Sequence, residues 1–197
     1  MAKNRKVKIV ATAKKLFATQ GFDSTSLQQI ADGTGVTEPL MYYHFRGKED
    51  IFIEIIRSVY EEYFAHIKSL PQNPGTQFDK ISNLIRLHIN IAANRPNDGR
   101  LILSHCPSSL KKNTHIYHEI MQERHDLITG YLRDCLETGN AAGEFDAHPV
   151  EELVIVIACL LKGVIHRKLL GRISESSYEY TAIEFCRRAL MPNPVIY

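Results

Sequence analysis

The sequence predicts an all-α protein: a three-helix helix-turn-helix head at the N-terminus and a larger helical body, about nine helices together. Three observations carry that expectation. Apolar residues recur at helical spacing, and no stretch alternates convincingly as a half-buried strand would. Clusters of Gly, Pro and Asn separate the periodic segments. Between Thr25 and Asp50 the chain reads TSLQQIADGTGVTEPLMYYHFRGKED, two short helices joined by a tight turn, with basic and aromatic residues crowding the second.

The first helix covers about Lys3 to Gln20, with Ile9, Ala13, Leu16 and Phe17 inward and Gly21 as its stop. Ser26 is placed to cap the second, with Gln29 three residues on as in a capping box. Leu27, Ile30 and Ala31 form its apolar face, and Gly33 and Gly35 are expected to break it. Thr37 is expected to cap the third helix, about Glu38 to His44, with Pro39 near its start, where a missing N–H costs nothing. Leu40 and Met41 face inward, Phe45 closes the core and Gly47 opens the next break.

A long fourth helix starts near Lys48. Ile51, Phe52, Ile55, Ile56, Val59, Tyr60, Tyr63, Phe64 and Ile67 mark one broad buried face, and Pro71, Asn73, Pro74 and Gly75 end it. The fifth runs from about Thr76 to Asn94, with Phe78, Ile81, Leu84, Ile85, His88, Ile91 and Ala92 on one face. Pro96 to Gly99 reads as a turn before a short sixth helix near Arg100 to Cys106. The seventh spans about Thr114 to Thr138 and ends in Gly139 to Gly143. The eighth begins around Asp146-Ala147-His148-Pro149 and is stopped by Gly171. The ninth starts at Ser174 or Ser176 and ends near Met191. The division expected is a head of residues 1–47 and a body of 48–197, with the helix over 48–69 linking them.

Charge is unevenly distributed. Residues 1–48 hold eight basic and three acidic side chains, a net of +5, and the remainder nets −3. A basic head on an acidic body is expected where one end meets a polyanion. The four cysteines lack a CxxC pair and read as free, mostly buried thiols of a reducing compartment. The most apolar run, Leu153 to Leu161, is stopped by Lys162 and is too short to span a bilayer. No secretory leader is evident, so a cytoplasmic location and no membrane partner are expected.

Thr37, Glu38, Pro39, Tyr42, Tyr43, His44, Arg46 and Lys48 face outward, where they can bond phosphate oxygens or base edges. Ile30-Ala31, Gly35-Val36-Thr37, Tyr42-Tyr43-His44-Phe45 and Gly47-Lys48-Glu49 resemble the signature of TetR-type (AcrR-like) transcriptional regulators, over about residues 7 to 55. Ala11-Thr12-Ala13, Leu16-Phe17, Gly21-Phe22 and Thr25 match that family's first helix and connection. The resemblance implies that Tyr42, Tyr43, His44 and Lys48, with a hydroxyl at Thr25 or Ser26, grip phosphates. It places Gln28, Thr37, Glu38 and Pro39 at bases. Glu38 departs from the pattern: a carboxylate can accept from cytosine N4 but repels phosphates. Lys3, Arg5 and Lys6 are expected to add contacts from a mobile arm.

The same resemblance implies a repressor that binds a palindromic double-stranded operator as a dimer and is released by a small-molecule inducer. The dimer is expected through the helices at about 150–170 and 175–191, the first of them apolar nearly all round at its start. On the last helix Tyr178, Ala182, Phe185, Cys186, Ala189 and Leu190 share a face. Candidate pocket residues are Tyr60, Phe64, His88, His105, Cys106, Tyr117, Tyr131 and His166, with core packing the plainer role for several. They suit a moderately apolar organic molecule. No cofactor or metal is expected: His115, His118 and His125 share one helix face but span about 15 Å of its axis. The alternatives are an activator, or a regulator that answers a metal or a protein partner. An enzyme is the remote one, since no GxSxG, HExxH, P-loop or dinucleotide fingerprint occurs.

Overall fold

In a computed structural model the described residues are 2–72, 75–107, 110, 114–146, 149–171 and 175–191, less the side chains of 2–4, 114 and 175–177. They form nine α-helices and no strand: α1 (Ala2–Gln20), α2 (Leu27–Thr34), α3 (Glu38–His44), α4 (Lys48–Lys68), α5 (Gln77–Asn94), α6 (Pro96–Ile102), α7 (Thr114–Ala141), α8 (Val150–Leu169) and α9 (Glu175–Leu190). No helix is long and apolar enough to cross a membrane among the described residues. The chain divides into two compact units. One comprises Met1–Tyr63 and Asn97–Gln122, the other Phe64–Pro96 and Glu123–Tyr197. The first unit therefore reaches beyond residue 47, taking in most of α4, α6 and the start of α7.

In the first unit, Ile9, Ala13 and Phe17 of α1 are buried with Ile30 and Ala31 of α2, Met41 of α3, and Phe45. Phe17, Phe22 and Phe52 form an aromatic cluster with ring centroids 5.0–5.8 Å apart, and Tyr117 stacks on Phe52 at 6.4 Å. Ser26 and Gln29 make the capping box of α2, and Gly35 ends that helix at φ +66°. Gly33 lies inside α2 instead of breaking it. A Cβ there would sit 2.8 Å from the Thr12 methyl, so its role is the close approach of α1 and α2. Pro96 to Gly99 are the first turn of α6 rather than a turn before it. Pro at the first helical position loses no hydrogen bond, and buried Asp98 pairs with Lys14 of α1 at 2.5 Å. His105 and Cys106 consequently lie beyond the end of α6.

In the second unit, Thr76 and Asp79 cap α5, and the Glu144 carboxylate accepts from the backbone N–H groups of Gln77 and Phe78 at 2.9 and 2.7 Å. α5 packs against α8 and α9. The sequence placed Gly139 at the end of α7, yet the helix runs on to Ala141. A Cβ at Gly139 would overlap the Phe145 ring, so the glycine makes room for that buried ring. The reversal falls at Gly143, φ +69°. On α8, Val154, Ile157, Leu161, Val164 and Ile165 are buried, while Ile155 and Val156 are 61% and 54% exposed. On α9, Ala182, Cys186 and Leu190 are buried. Phe185 is 59% exposed and Ala189 is also exposed, so within the single chain the apolar residues of α9 divide between a covered and an uncovered side. Of the four free thiols, Cys135 and Cys186 are buried, Cys106 is half-buried and Cys159 is exposed on α8. The expected start of α8 at Ala147 and His148, the end of α4 at Asn73 and Pro74, and the Ser174 and Ser176 caps fall outside the described residues or side chains.

Candidate nucleic-acid interface

Helix α3 is placed by its short neighbours. Met41 is buried beneath it, while Tyr42 and Tyr43 stand 55% and 77% exposed. Thr37, Glu38 and Pro39 are exposed at its N-terminal end. Thr37 holds the cap position with extended backbone, but its side chain makes no capping bond. Glu38 sits in the first turn, where the helix dipole favours a negative charge. His44 is half-buried, its ring edge-on to Tyr43 at 5.0 Å, and its buried Nε2 has no hydrogen-bond partner among the described residues. Gln28 and Ser26 are exposed at the start of α2.

Two candidate phosphate ligands have structural duties. Thr25 is 1% exposed; its Oγ1 donates to the Gly21 carbonyl at 2.7 Å and accepts from Gln20 Nε2 at 3.2 Å. This corrects its placement as a surface hydroxyl and leaves Ser26 as the exposed one, engaged in its cap. Lys48 Nζ donates to the carbonyls of Phe22 and Thr25 at 2.8 and 2.9 Å and lies 4.2 Å from the Phe22 ring centroid. An ammonium has three donors, so one remains for a phosphate. Ser26, Tyr42, Arg46 and Lys48 share an open concavity of about 580 Å³. Arg5 and Lys6 lie on α1, not in an arm, and Lys6 pairs with Glu54 at 2.6 Å; the Lys3 side chain lies outside the described set.

The candidate pocket residues fall in both units. In the first, Tyr60 is buried and donates to the Ile102 carbonyl at 3.1 Å, and Tyr117 donates to the Ser104 carbonyl at 2.9 Å. His105 is exposed and Cys106 half-buried. In the second, Phe64 is buried, His166 is exposed and so lines no interior, and Tyr131 is half-buried with its hydroxyl pushed up to about 12 by burial. His115, His118 and His125 are all exposed on α7.

His88 is 1% exposed, with Nδ1 2.7 Å from the Leu84 carbonyl. Burial lowers its pKa to about 4, against the raising effect of the Leu84 bond and with help from Arg124. The neutral ring is favoured by folding, so stability is complete above pH 6.5 and falls as the unfolded chain takes up a proton that the folded one refuses. The loss runs from pH 6.5 down to about 4 and amounts to about 3 kcal/mol. Denaturation across that range should show a slope shallower by one proton in His88→Gln than in the parent; equal slopes would remove His88 as the cause.

Residues 9–55 match the family model described as bacterial regulatory proteins, tetR family. The chain is 26% identical over 133 residues to the HTH-type transcriptional regulator RutR of Escherichia coli K12, an alignment covering 66% of this chain and 62% of RutR. The N-terminal segment, residues 9–55, is that of TetR-family regulators. Two solved structures share its fold. KstR2 of Mycobacterium tuberculosis, described as a ketosteroid transcriptional regulator, superposes with a TM-score of 0.80 at 16% identity, covering 96% of each chain. FadR of Bacillus subtilis, solved in complex with stearoyl-CoA, gives 0.71 at 18% identity over 91% of this chain and 96% of FadR. All three are described as transcriptional regulators.

The sequence reading missed how the TetR-family head is held. Gln20 Nε2 donates to the Ser24 carbonyl, Thr25 Oγ1 and Gln29 Oε1 at 3.0–3.2 Å, tying the end of α1 to the cap of α2. Nothing local marks Gln20 for that task. Its partners lie four to nine residues away across a turn.

Proposed function

We propose that this chain is a DNA-binding transcription regulator that acts as a homodimer on a palindromic operator, represses there, and is released by a small organic inducer in the cytoplasm. The observation that carries the reading is the row of exposed residues on a capped helix-turn-helix: Gln28 on α2, then Thr37, Glu38, Pro39, Tyr42 and Tyr43 on α3. These side chains present hydroxyl, carboxamide and carboxylate groups where base edges would lie. Ser26, His44 and Lys48 stand beside them for phosphates.

Dimerisation is supported by the uncovered apolar face of the second unit. Leu153, Val156, Leu160, Phe185 and Ala189 line an apolar groove between α8 and α9. Two heads related by a dyad read half-sites spaced by helical turns, which one head cannot do. The inducer class is supported by the relatives, one described by ketosteroid and one bound to stearoyl-CoA. The inducer must favour the DNA-incompetent state, and a coupling of about 1–3 kcal/mol changes operator affinity 5- to 150-fold.

Genome-wide selection of bound duplexes tests this. A shared inverted repeat is the expected product, and its neighbouring genes would point to the inducer. If a dimer neutralises about eight phosphates, log K falls with log salt at a slope near −7. A slope near zero contradicts the proposal.

A further inference from the structure

We infer that Asp32 is a specificity-determining residue of the reading head: it orients the Gln28 carboxamide so that adenine is preferred at one position of each half-site. The inference rests on the DNA-binding reading above and adds a residue to it.

Gln28 Nε2 donates to Asp32 Oδ1 at 2.7 Å, one turn apart on the exposed side of α2. An ionised carboxylate only accepts, so the amide nitrogen must lie toward Asp32 and the carboxamide oxygen away from it. Without such a partner the two ends of a glutamine amide interchange freely. Adjacent Gln29 shows the contrast. Its Oε1 accepts from the Ser26 N–H at 2.9 Å and from Gln20 Nε2 at 3.1 Å, and is spent on the cap. Among the described residues no hydrogen bond is made to the Gln28 oxygen, and one of its N–H groups remains. An oxygen and an N–H presented side by side match the N6 amino group and N7 of adenine in the major groove.

Asp32 also carries a negative charge on a surface that meets phosphates. It therefore weakens sequence-independent binding while sharpening choice at one base pair. The change in base preference separates an orienting residue from a plain i,i+4 helix stabiliser, which would alter non-specific binding through its charge and leave that preference unchanged.

The experiment measures base preference at every operator position for the parent, Gln28→Ala, Asp32→Ala and the double variant, with thermal melting of each protein. A good bidentate contact is worth about 5- to 150-fold in discrimination. Gln28→Ala should erase the adenine preference at one symmetric position. Asp32→Ala should lower that same preference at least about threefold, as part of that range, and strengthen binding to scrambled duplex, with melting little changed. The double variant should match Gln28→Ala at that position. The inference is overturned if Gln28→Ala leaves every preference intact, if Asp32→Ala leaves that preference unchanged, or if Asp32→Ala has the same effect with and without Gln28. A parent protein that selects no inverted repeat would instead remove the DNA-binding reading, and this inference with it.

Discussion

Phe52→Ala is expected to cost about 3–5 kcal/mol of stability. Phe52 is 2% exposed and lies among Phe17, Phe22 and Tyr117, with centroids 5.0–6.4 Å away. Removing the ring forfeits its burial and leaves a cavity whose walls come from α1, the connection after it, α4 and α7, elements that cannot all collapse inward together. The same rings seat Phe22, whose carbonyl and face hold Lys48. Operator binding should therefore fall with stability, since domain stabilities are only about 5–15 kcal/mol. Chemical denaturation followed by circular dichroism reads the effect. Phe52→Leu should lose far less, and a loss under about 1 kcal/mol for the alanine variant would contradict the packing described.

Val156→Asp combined with Phe185→Asp is expected to convert the proposed dimer to a 22.4 kDa monomer. Both side chains are more than half exposed in the single chain, so the folded subunit tolerates the change. In a dimer built on this face, four carboxylates would be buried unpaired, a cost far above the worth of the apolar contact. Operator affinity should drop by at least about a hundredfold, because two linked heads gain 10²–10⁴ over one. Sedimentation gives the mass and fluorescence anisotropy the affinity. A variant that remains dimeric with parental affinity would move the interface elsewhere.

The helices and the outward row of α3 were legible for one physical reason: they depend on residues within about four positions. The Ser26–Gln29 box, the Gly35 stop and the apolar face of α5 are local matters of capping, φ angle and 3.6-residue spacing. The outward row from Thr37 to Tyr43 follows from the same spacing once Met41 is inside. Where sequence reading failed, the deciding partner was remote. Thr25 looked like a surface hydroxyl because nothing nearby shows that Gln20 and the Gly21 carbonyl enclose it. Gly33 and Gly139 looked like breakers because glycine usually is one. Thr12 lies 21 residues from Gly33 in sequence, and the Phe145 ring arrives at Gly139 only after a reversal.

Composition and periodicity settled that this chain is helical, that its head is basic, and which side chains of α3 face outward. They could not settle which apolar residues of α8 and α9 are covered. Ile157 and Ile155 are chemically alike and two positions apart, yet one is 4% and the other 61% exposed. Burial there depends on α5, more than fifty residues upstream, packing against one side of each helix and leaving the other bare. A helical period names the faces of a helix, and only the packing partner selects among them.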